Sequence, residues 1–219
     1  AGLLWFGWFG FNAGSATAAN NASAVAFLNT FAATCAAAIG WLLTEKFRDG
    51  HATSLGAASG VVAGLVAITP ACAAVSPMGA LAIGLIAGVL CALAVGLKYK
   101  FKYDDSLDVV GVHLVGGLTG TLLIGLFATA ASPTGIDGLF YGGGFDQLGK
   151  QLVGAGAVLG YSLVVTAIIA LIIKAVMGLR VSSDEEVGGI DRSEHAETGY
   201  ELGDTGGGGV FAGVGHAAR

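Results

Sequence analysis

Long stretches without a charged side chain constrain this chain more than any other feature of its sequence. No Asp, Glu, Lys or Arg occurs in residues 1–44, 52–97 or 152–173. A helix needs about 20 mainly apolar residues to cross the hydrocarbon core of a bilayer. Charged residues make up 11% of the chain, against roughly 25% in soluble domains. The sequence therefore predicts an all-α integral membrane protein.

Polar residues, prolines and glycine-rich loops divide the apolar stretches into six predicted spans. The predicted spans are residues 2–17, 23–44, 54–74, 78–97, 106–131 and 152–179. Pro70 lies inside the third span. A proline there frees a backbone carbonyl, which a neighbouring side chain or a solute must satisfy. The chain starts inside the first apolar stretch, which we interpret as a missing N-terminal portion.

Small residues inside these spans predict close helix packing. The chain contains 38 glycines, and pairs four residues apart recur at 10/14, 56/60/64, 84/88, 116/120 and 156/160. In a membrane this spacing lets helix backbones approach closely. We therefore expect a tight helical bundle with several helix interfaces. The three cysteines lie in apolar runs without metal-binding spacing, so we expect them to be buried thiols.

Positive charges predict the orientation of the bundle. One set of alternate loops and the end of the last span carry most of them, at Lys46, Arg48, Lys98, Lys100, Lys102, Lys174 and Arg180. The positive-inside rule places these residues and the C-terminus in the cytoplasm of a multi-pass plasma-membrane protein. We divide the chain into a membrane domain, residues 1–180, and a largely flexible cytoplasmic tail, residues 181–219. The tail carries eight acidic and two basic residues.

His113 is the only histidine inside a predicted span. An ionisable side chain in hydrocarbon is costly and is by default a candidate functional residue. Gly116, Gly117 and Gly120 follow at spacings that share its helix face, so we expect space beside the ring, as a pore requires. A neutral imidazole offers one donor and one acceptor for a small polar solute. The alternative is a core histidine bonded to a backbone carbonyl.

Trp8, Phe11 and Ser15 fall on one stripe of the first span, because they are three and then four residues apart. Aromatic faces attract cations, and the nearby hydroxyl adds a polar contact. This spacing is therefore compatible with a cation-binding stripe near the outer end of the span. The alternative is a packing stripe with an interfacial hydroxyl.

Acidic residues precede the fifth span on the predicted cytoplasmic side, at Asp104, Asp105 and Asp108, with Ser106 among them. Such residues cap helix N-termini, so we interpret them first as caps and second as a surface that attracts cations. The sequence contains no phosphate-binding loop and no carboxylate pair inside a span. It predicts no enzyme, cofactor or nucleic-acid partner, and it leaves channel, transporter and membrane-embedded subunit open.

Five motifs give this chain a resemblance to a known family. Residues 7–15 (GWFGFNAGS), 56–72 (GAASGVVAGLVAITPAC), 104–117 (DDSLDVVGVHLVGG), 178–181 (GLRV) and 189–200 (GIDRSEHAETGY) resemble signatures of the Amt/MEP/Rh ammonium transporters. The resemblance implies a fold of eleven spans that forms homotrimers with one pore per subunit. Its first ten helices form two inverted repeats. This chain would supply six helices, namely the second repeat and the last helix.

The resemblance also implies roles for individual residues. His113 matches one member of the family's pair of pore histidines, and Trp8 matches a pore-lining tryptophan. Phe11 matches one of two stacked phenylalanines that close the outer pore. Ser15 matches the hydroxyl of the external ammonium site, and Thr69 matches a residue near the pore centre.

Two further groups match positions on the cytoplasmic side of the family. Ser59 and Asp108 match residues near the inner vestibule. The tail resembles the family's regulatory segment at Gly189, Asp191, His195, Glu197 and Tyr200. It would pack against the basic cytoplasmic face and bind a PII-type nitrogen regulator. The implied function is passage of ammonium or ammonia through a narrow apolar pore. The alternatives are an ammonium sensor that signals through the tail, a carbon-dioxide role, or a truncated product without function.

Overall fold

The computed structural model describes residues 1–197, which fold into helices joined by short turns. The helices are α1 Gly2–Asn12, α2 Asn21–Asp49, α3 Ser54–Ile68, α4 Pro77–Ala94, α5 Leu97–Phe101, α6 Val115–Phe127, α7 Asp146–Val176, α8 Ser183–Gly188 and α9 Ile190–His195. A π-helical turn, Val110–Leu114, leads into α6. Two compact units divide between Tyr161 and Ser162, within α7. In the described part, the only extended pairing is an isolated bridge, so the all-α prediction is confirmed.

Within residues 1–197, four helical segments are long and apolar enough to cross a membrane. They are Asn21–Asp49, Pro77–Phe101, Val110–Phe127 and Asp146–Val176. These segments correspond to the second, fourth, fifth and sixth predicted spans. The membrane prediction is therefore confirmed for these four, with ends that differ by several residues from those expected.

The first and third helices are shorter than the spans predicted from the sequence. α1 ends at Asn12 and is followed by a 3-10 turn, Gly14–Ala16. α3 ends at Ile68, and residues 69–74 form successive turns. The physical reason at α3 is Pro70, which has no backbone N–H to continue the helical hydrogen bonds.

Side chains at the helix starts explain where several helices begin. Asn20 and Ser23 form a reciprocal capping box at α2. Thr53 caps α3, because its hydroxyl accepts a hydrogen bond from the Gly56 N–H. Ser76 caps α4 in the same way. Each cap satisfies a backbone donor that the first helical turn leaves without a partner.

α2 makes the most extensive contacts in the bundle, because it packs against both α3 and α4, which also contact each other. A methyl group on Gly64 would lie 2.7 Å from the Ala37 Cβ. On α4, a methyl group on Gly84 or Gly88 would collide with backbone carbonyls of α2. These contacts confirm the predicted tight packing. The pairs 10/14 and 156/160 differ, because they have open space beside them in the described part of the chain.

α7 has a different environment from the other long helices. It contains 31 residues, and none of them is buried in this structure. Several of its large apolar side chains, including Leu163 and Val153, are more than two-thirds exposed. Because exposed apolar helix surface is stable only against lipid or further protein, α7 presents a face for one of these.

Candidate functional site

His113 lies in the π-helical turn Val110–Leu114 and lines an open cavity of about 330 Å³. Leu55, Ala58, Ser59 and Val62 of α3 form one wall, and Asp108 lies at the other. The imidazole is exposed, and no hydrogen bond to it occurs within the described residues. π-Helical turns are rare and often occur at functional sites. The structure therefore brings His113, Ser59 and Asp108 to one cavity.

Two of the three glycines after His113 pack against neighbouring helices instead of opening space beside its ring. The expectation is therefore wrong for Gly116 and Gly120, whereas a methyl group on Gly117 would meet only Val66, at 3.9 Å. A methyl group on Gly116 would meet the Cys91 sulfur at 3.3 Å, and one on Gly120 would collide with the Ala67 carbonyl. These glycines admit the neighbouring helices instead. The physical reason is the π-helical turn, whose extra residue changes which side chains share a face.

The turn before α6 is held by three charged side chains. The Asp105 carboxylate accepts hydrogen bonds from the Val109 and Val110 N–H groups, at 2.7 and 2.9 Å. This contact confirms the predicted cap for Asp105. Asp108 has a different role, since its Oδ1 lies 2.7 Å from the Lys98 Nζ. The same ammonium group donates to the Asp105 carbonyl at 3.0 Å.

Trp8 and Phe11 line a second hollow, of about 240 Å³, on α1. Their ring centroids are 5.7 Å apart in an edge-to-face arrangement. The Trp8 indole N–H donates to the Thr69 hydroxyl at 2.8 Å, which links α1 to the end of α3. The Ser15 hydroxyl donates to the Phe11 carbonyl at 2.6 Å. Two of the three predicted stripe residues thus share a hollow, while Ser15 contacts the backbone of its own segment.

A buried asparagine satisfies the backbone around the Pro70 break. The Asn29 amide donates to the carbonyls of Cys72 and Val75, both at 2.8 Å. Asn29 is fully buried. Both carbonyls come after Pro70, whereas the carbonyl that a proline frees lies four residues before it, so the expectation about that freed carbonyl stays a prediction. The sequence analysis did not select Asn29, although an amide in an apolar run was a usable signal.

A second buried amide joins α1 to α2. The Asn12 Nδ2 donates to the Thr30 hydroxyl at 2.9 Å, and the Thr30 hydroxyl donates to the Ala26 carbonyl. Stacked rings add to this contact, with the Phe9 and Phe27 centroids 4.1 Å apart. Sequence reasoning missed these residues as well. They fix the position of α1, which carries the Trp8 hollow.

The described tail contains two short helices. Ser182 and Glu185 form a capping box at α8. Hydrogen bonds from the Ser182 side chain and backbone lower the pKa of Glu185 below its usual value. Gly189 joins the helices with a φ of 94°, in the left-handed region that favours glycine.

The residues predicted to regulate the protein fall in and beside α9. Asp191 and His195 lie in α9, and the Glu197 N–H donates to the Asp191 carbonyl at 3.2 Å. Tyr200 lies outside the described residues. Among the residues that are described, no cluster of three His, Cys, Asp or Glu could hold a metal ion.

The long apolar helices place this protein in the class of helical integral membrane proteins, and His113 faces an open cavity in their bundle. The comparisons with known proteins agree with this class and are more specific. The sequence model of the Ammonium Transporter Family matches residues 1–200. The chain belongs to the ammonium transporter family.

Individual relatives give the same result. An ammonium transporter from Mycobacterium bovis is 62% identical over 208 residues, which cover 92% of this chain and 44% of that protein. One from Aquifex aeolicus is 50% identical over 203 residues, covering 92% of this chain and 47% of the relative. The chain therefore spans less than half the length of these relatives.

Several solved structures have a fold similar to that of this chain. Mep2 from Candida albicans matches with a TM-score of 0.76 and 36% identity, over 83% of this chain and 42% of that one. A structure described as a sensor Amt protein matches with a TM-score of 0.78 and 34% identity, over 87% and 46% of the two chains. Both likenesses support the predicted resemblance to Amt and MEP proteins.

Proposed function

We propose that this chain is the C-terminal half of a plasma-membrane protein that passes ammonium or ammonia for nitrogen uptake. The observation that carries the proposal is an exposed, titratable imidazole at a cavity of an apolar bundle, in a chain 62% identical to an ammonium transporter. The N-terminal half would supply the remaining pore wall, and the protein would act as a homotrimer.

At the outer end, Trp8, Phe11 and Ser15 would receive the cation. The exposed aromatic rings offer cation–π attraction, and the Ser15 hydroxyl offers a polar contact. Potassium has a similar size but cannot donate hydrogen bonds to that hydroxyl. An apolar pore strongly disfavours a bare ion, so the proton leaves ammonium before or within the passage.

Further inward, His113 and Thr69 would guide the neutral molecule. A neutral imidazole can donate one hydrogen bond and accept another, which suits ammonia without demanding a charge. Ser59 and Asp108 share the His113 cavity and would form the inner vestibule. The proposed path therefore runs from the Trp8 hollow to this cavity.

Replacement of His113 tests the pore assignment. In the full-length protein, His113→Ala is expected to abolish ammonium-dependent flux or change its selectivity against potassium, while trimers still assemble. Leu114→Ala is the matched control, since this neighbouring side chain is also exposed. The assay is flux into proteoliposomes after an ammonium pulse. Unchanged flux and selectivity in His113→Ala would show that this residue has a packing role and does not line the pore.

The loop charges support a cytoplasmic C-terminus. Cysteines introduced at Gly135 or Gly144 are then expected to react with an impermeant reagent from outside the cell. A cysteine at Gly50 is expected to react only after the cytoplasmic side is opened. The reverse pattern would overturn the orientation and the outer location of Ser15.

We further propose that the tail binds a PII-type regulator. The supporting feature is the motif at residues 189–200. A polar tail needs no specific sequence merely to stay soluble, so the motif indicates a further role. Deleting these residues from the full-length protein is expected to remove binding and inhibition by the host's PII protein. A pull-down at varied ATP, ADP and 2-oxoglutarate measures this, and continued binding by the deleted form contradicts it.

A sensor is the second candidate function, favoured by the likeness to a sensor Amt protein. The two functions differ in what ammonium changes. A transporter moves ammonium across proteoliposomes without a partner, whereas a sensor alters its binding of a partner without net flux. The flux assay on the full-length protein therefore separates them.

A further inference from the structure

Lys98 forms an ion pair at the edge of the His113 cavity. Its Nζ lies 2.7 Å from the Asp108 Oδ1, and the Lys98 side chain is only 16% exposed. Lys100 and Lys102 follow in the same basic segment, but neither forms an ion pair within the described part of the chain. Lys98 therefore differs from these two basic neighbours in forming an ion pair with Asp108.

The same lysine fixes the geometry of the turn. Its ammonium group donates to the Asp105 carbonyl as well as to the Asp108 carboxylate. Asp108 has a φ of 57°, a left-handed conformation that non-glycine residues adopt at some cost. Because Lys98 holds both ends of residues 105–108, it fixes where the Asp108 carboxylate lies.

Asp108 places a carboxylate at the cavity that His113 lines. Its side chain lines the cavity that also contains His113 and Ser59. Carboxylates at the mouths of pores attract cations, whereas fixed positive charges oppose them. Without Lys98, Asp108 would present an unpaired negative charge beside His113. With Lys98, the pair carries no net charge.

We propose that Lys98 is a counter-ion that prevents Asp108 from retaining a monovalent cation at this mouth. Ammonium and potassium would otherwise occupy the mouth and obstruct the passage of neutral ammonia. This role makes Lys98 a specificity-determining residue that acts through Asp108, and it rests on the proposed transport function. The positive-inside rule places the mouth on the cytoplasmic side.

The test measures potassium inhibition of ammonium flux by the full-length protein in proteoliposomes, with potassium on both sides. Lys98→Gln is expected to lower the half-inhibiting potassium concentration roughly fivefold, a factor at the upper end for ion pairs near a protein surface, because this pair is largely shielded from solvent. Lys100→Gln is the matched control and is expected to behave as wild type. The double variant Lys98→Gln/Asp108→Asn removes the carboxylate, so its potassium sensitivity should return to the wild-type level.

Lys98→His provides a variant that keeps a hydrogen-bond donor to Asp108 if Lys98→Gln does not fold. A histidine has an ordinary pKa of about 6.5, so it is largely charged at pH 5.5 and neutral at pH 8. Increased potassium sensitivity is expected at pH 8 and not at pH 5.5. The wild type at both pH values corrects for other titrating groups, including Asp105, Asp108 and His113.

The outcomes separate the inference from the proposed function. A wild type that carries no ammonium overturns both. A transporting wild type with unchanged potassium sensitivity in Lys98→Gln and in Lys98→His at pH 8 overturns the inference alone. Heightened sensitivity that persists in the double variant also overturns it, because potassium would then bind elsewhere than Asp108.

Discussion

Replacing Asn29 tests how the break in α3 is stabilised. Asn29→Leu keeps the number and branching of side-chain heavy atoms but removes both amide hydrogen bonds to the Cys72 and Val75 carbonyls. Those carbonyls lie in a buried turn, where water cannot replace the lost donors. The substitution isolates the hydrogen bonds from any cavity effect, because leucine fills the space.

The expected cost follows from two opposing estimates. A buried polar group left without a partner costs roughly 1–3 kcal/mol, which gives about 2–6 kcal/mol for two carbonyls. Hydrogen bonds between membrane helices average only about 0.6 kcal/mol in measured cases. The Asn29 Oδ1 itself has no hydrogen-bond partner among residues 1–197, so removing it offsets part of the loss. We therefore expect a decrease in the free energy of unfolding of roughly 2 kcal/mol.

The assay is reversible unfolding of the full-length protein in mixed micelles with increasing sodium dodecyl sulfate, followed by tryptophan fluorescence. Asn21→Leu serves as the control, because Asn21 is exposed at the start of the same helix. A change below about 0.5 kcal/mol, the scale of ordinary surface substitutions, would refute the reasoning. It would mean that the two carbonyls find other donors.

Two further predictions concern packing and pH. Gly120→Ala places a methyl group against the Ala67 carbonyl and is expected to cost about 1–3 kcal/mol in the same unfolding assay. Gly154→Ala, which has open space in the described part, is expected to change little, and equal effects would contradict this account. Since the pKa of Glu185 is lowered, its contribution to the α8 cap is present above its unfolded pKa. That contribution is lost as pH falls through the lowered value. Carboxyl NMR titration is expected to show this pKa rising in Ser182→Ala, and an unmoved pKa would refute the link.

Most of the fold could be predicted because membrane helices leave a simple signal in sequence. Charge-free runs located the four long helical segments, and the recurrent glycines predicted close contacts between α2, α3 and α4. The ends of α1 and α3 could not be predicted in the same way. The turns after Ile68 depend on an amide from a helix about forty residues earlier in the chain, which no local pattern encodes.

The candidate site was predictable in part for the same reason. His113 was evident as a lone ionisable residue in an apolar run. The π-helical turn that carries it depends on backbone hydrogen bonds, so the orientation of Gly116 relative to His113 was predicted wrongly. The Lys98–Asp108 pair was missed because the two residues come together only when the intervening turn closes.

The contacts of α2 with its neighbours also limit which parts of the molecule can move. Carbonyls of Ala33 and Ala37 lie against Gly84 and Gly88 with no room for a methyl group, and Gly64 of α3 packs against the same two alanines. Packed surfaces of this kind resist sliding, because any shift of one backbone meets another. Any rearrangement of the bundle is therefore expected to leave α2, α3 and α4 together as a rigid frame. If the proposed transport function holds, rotation of side chains such as Trp8 and Phe11, rather than movement of these helices, would open and close a path.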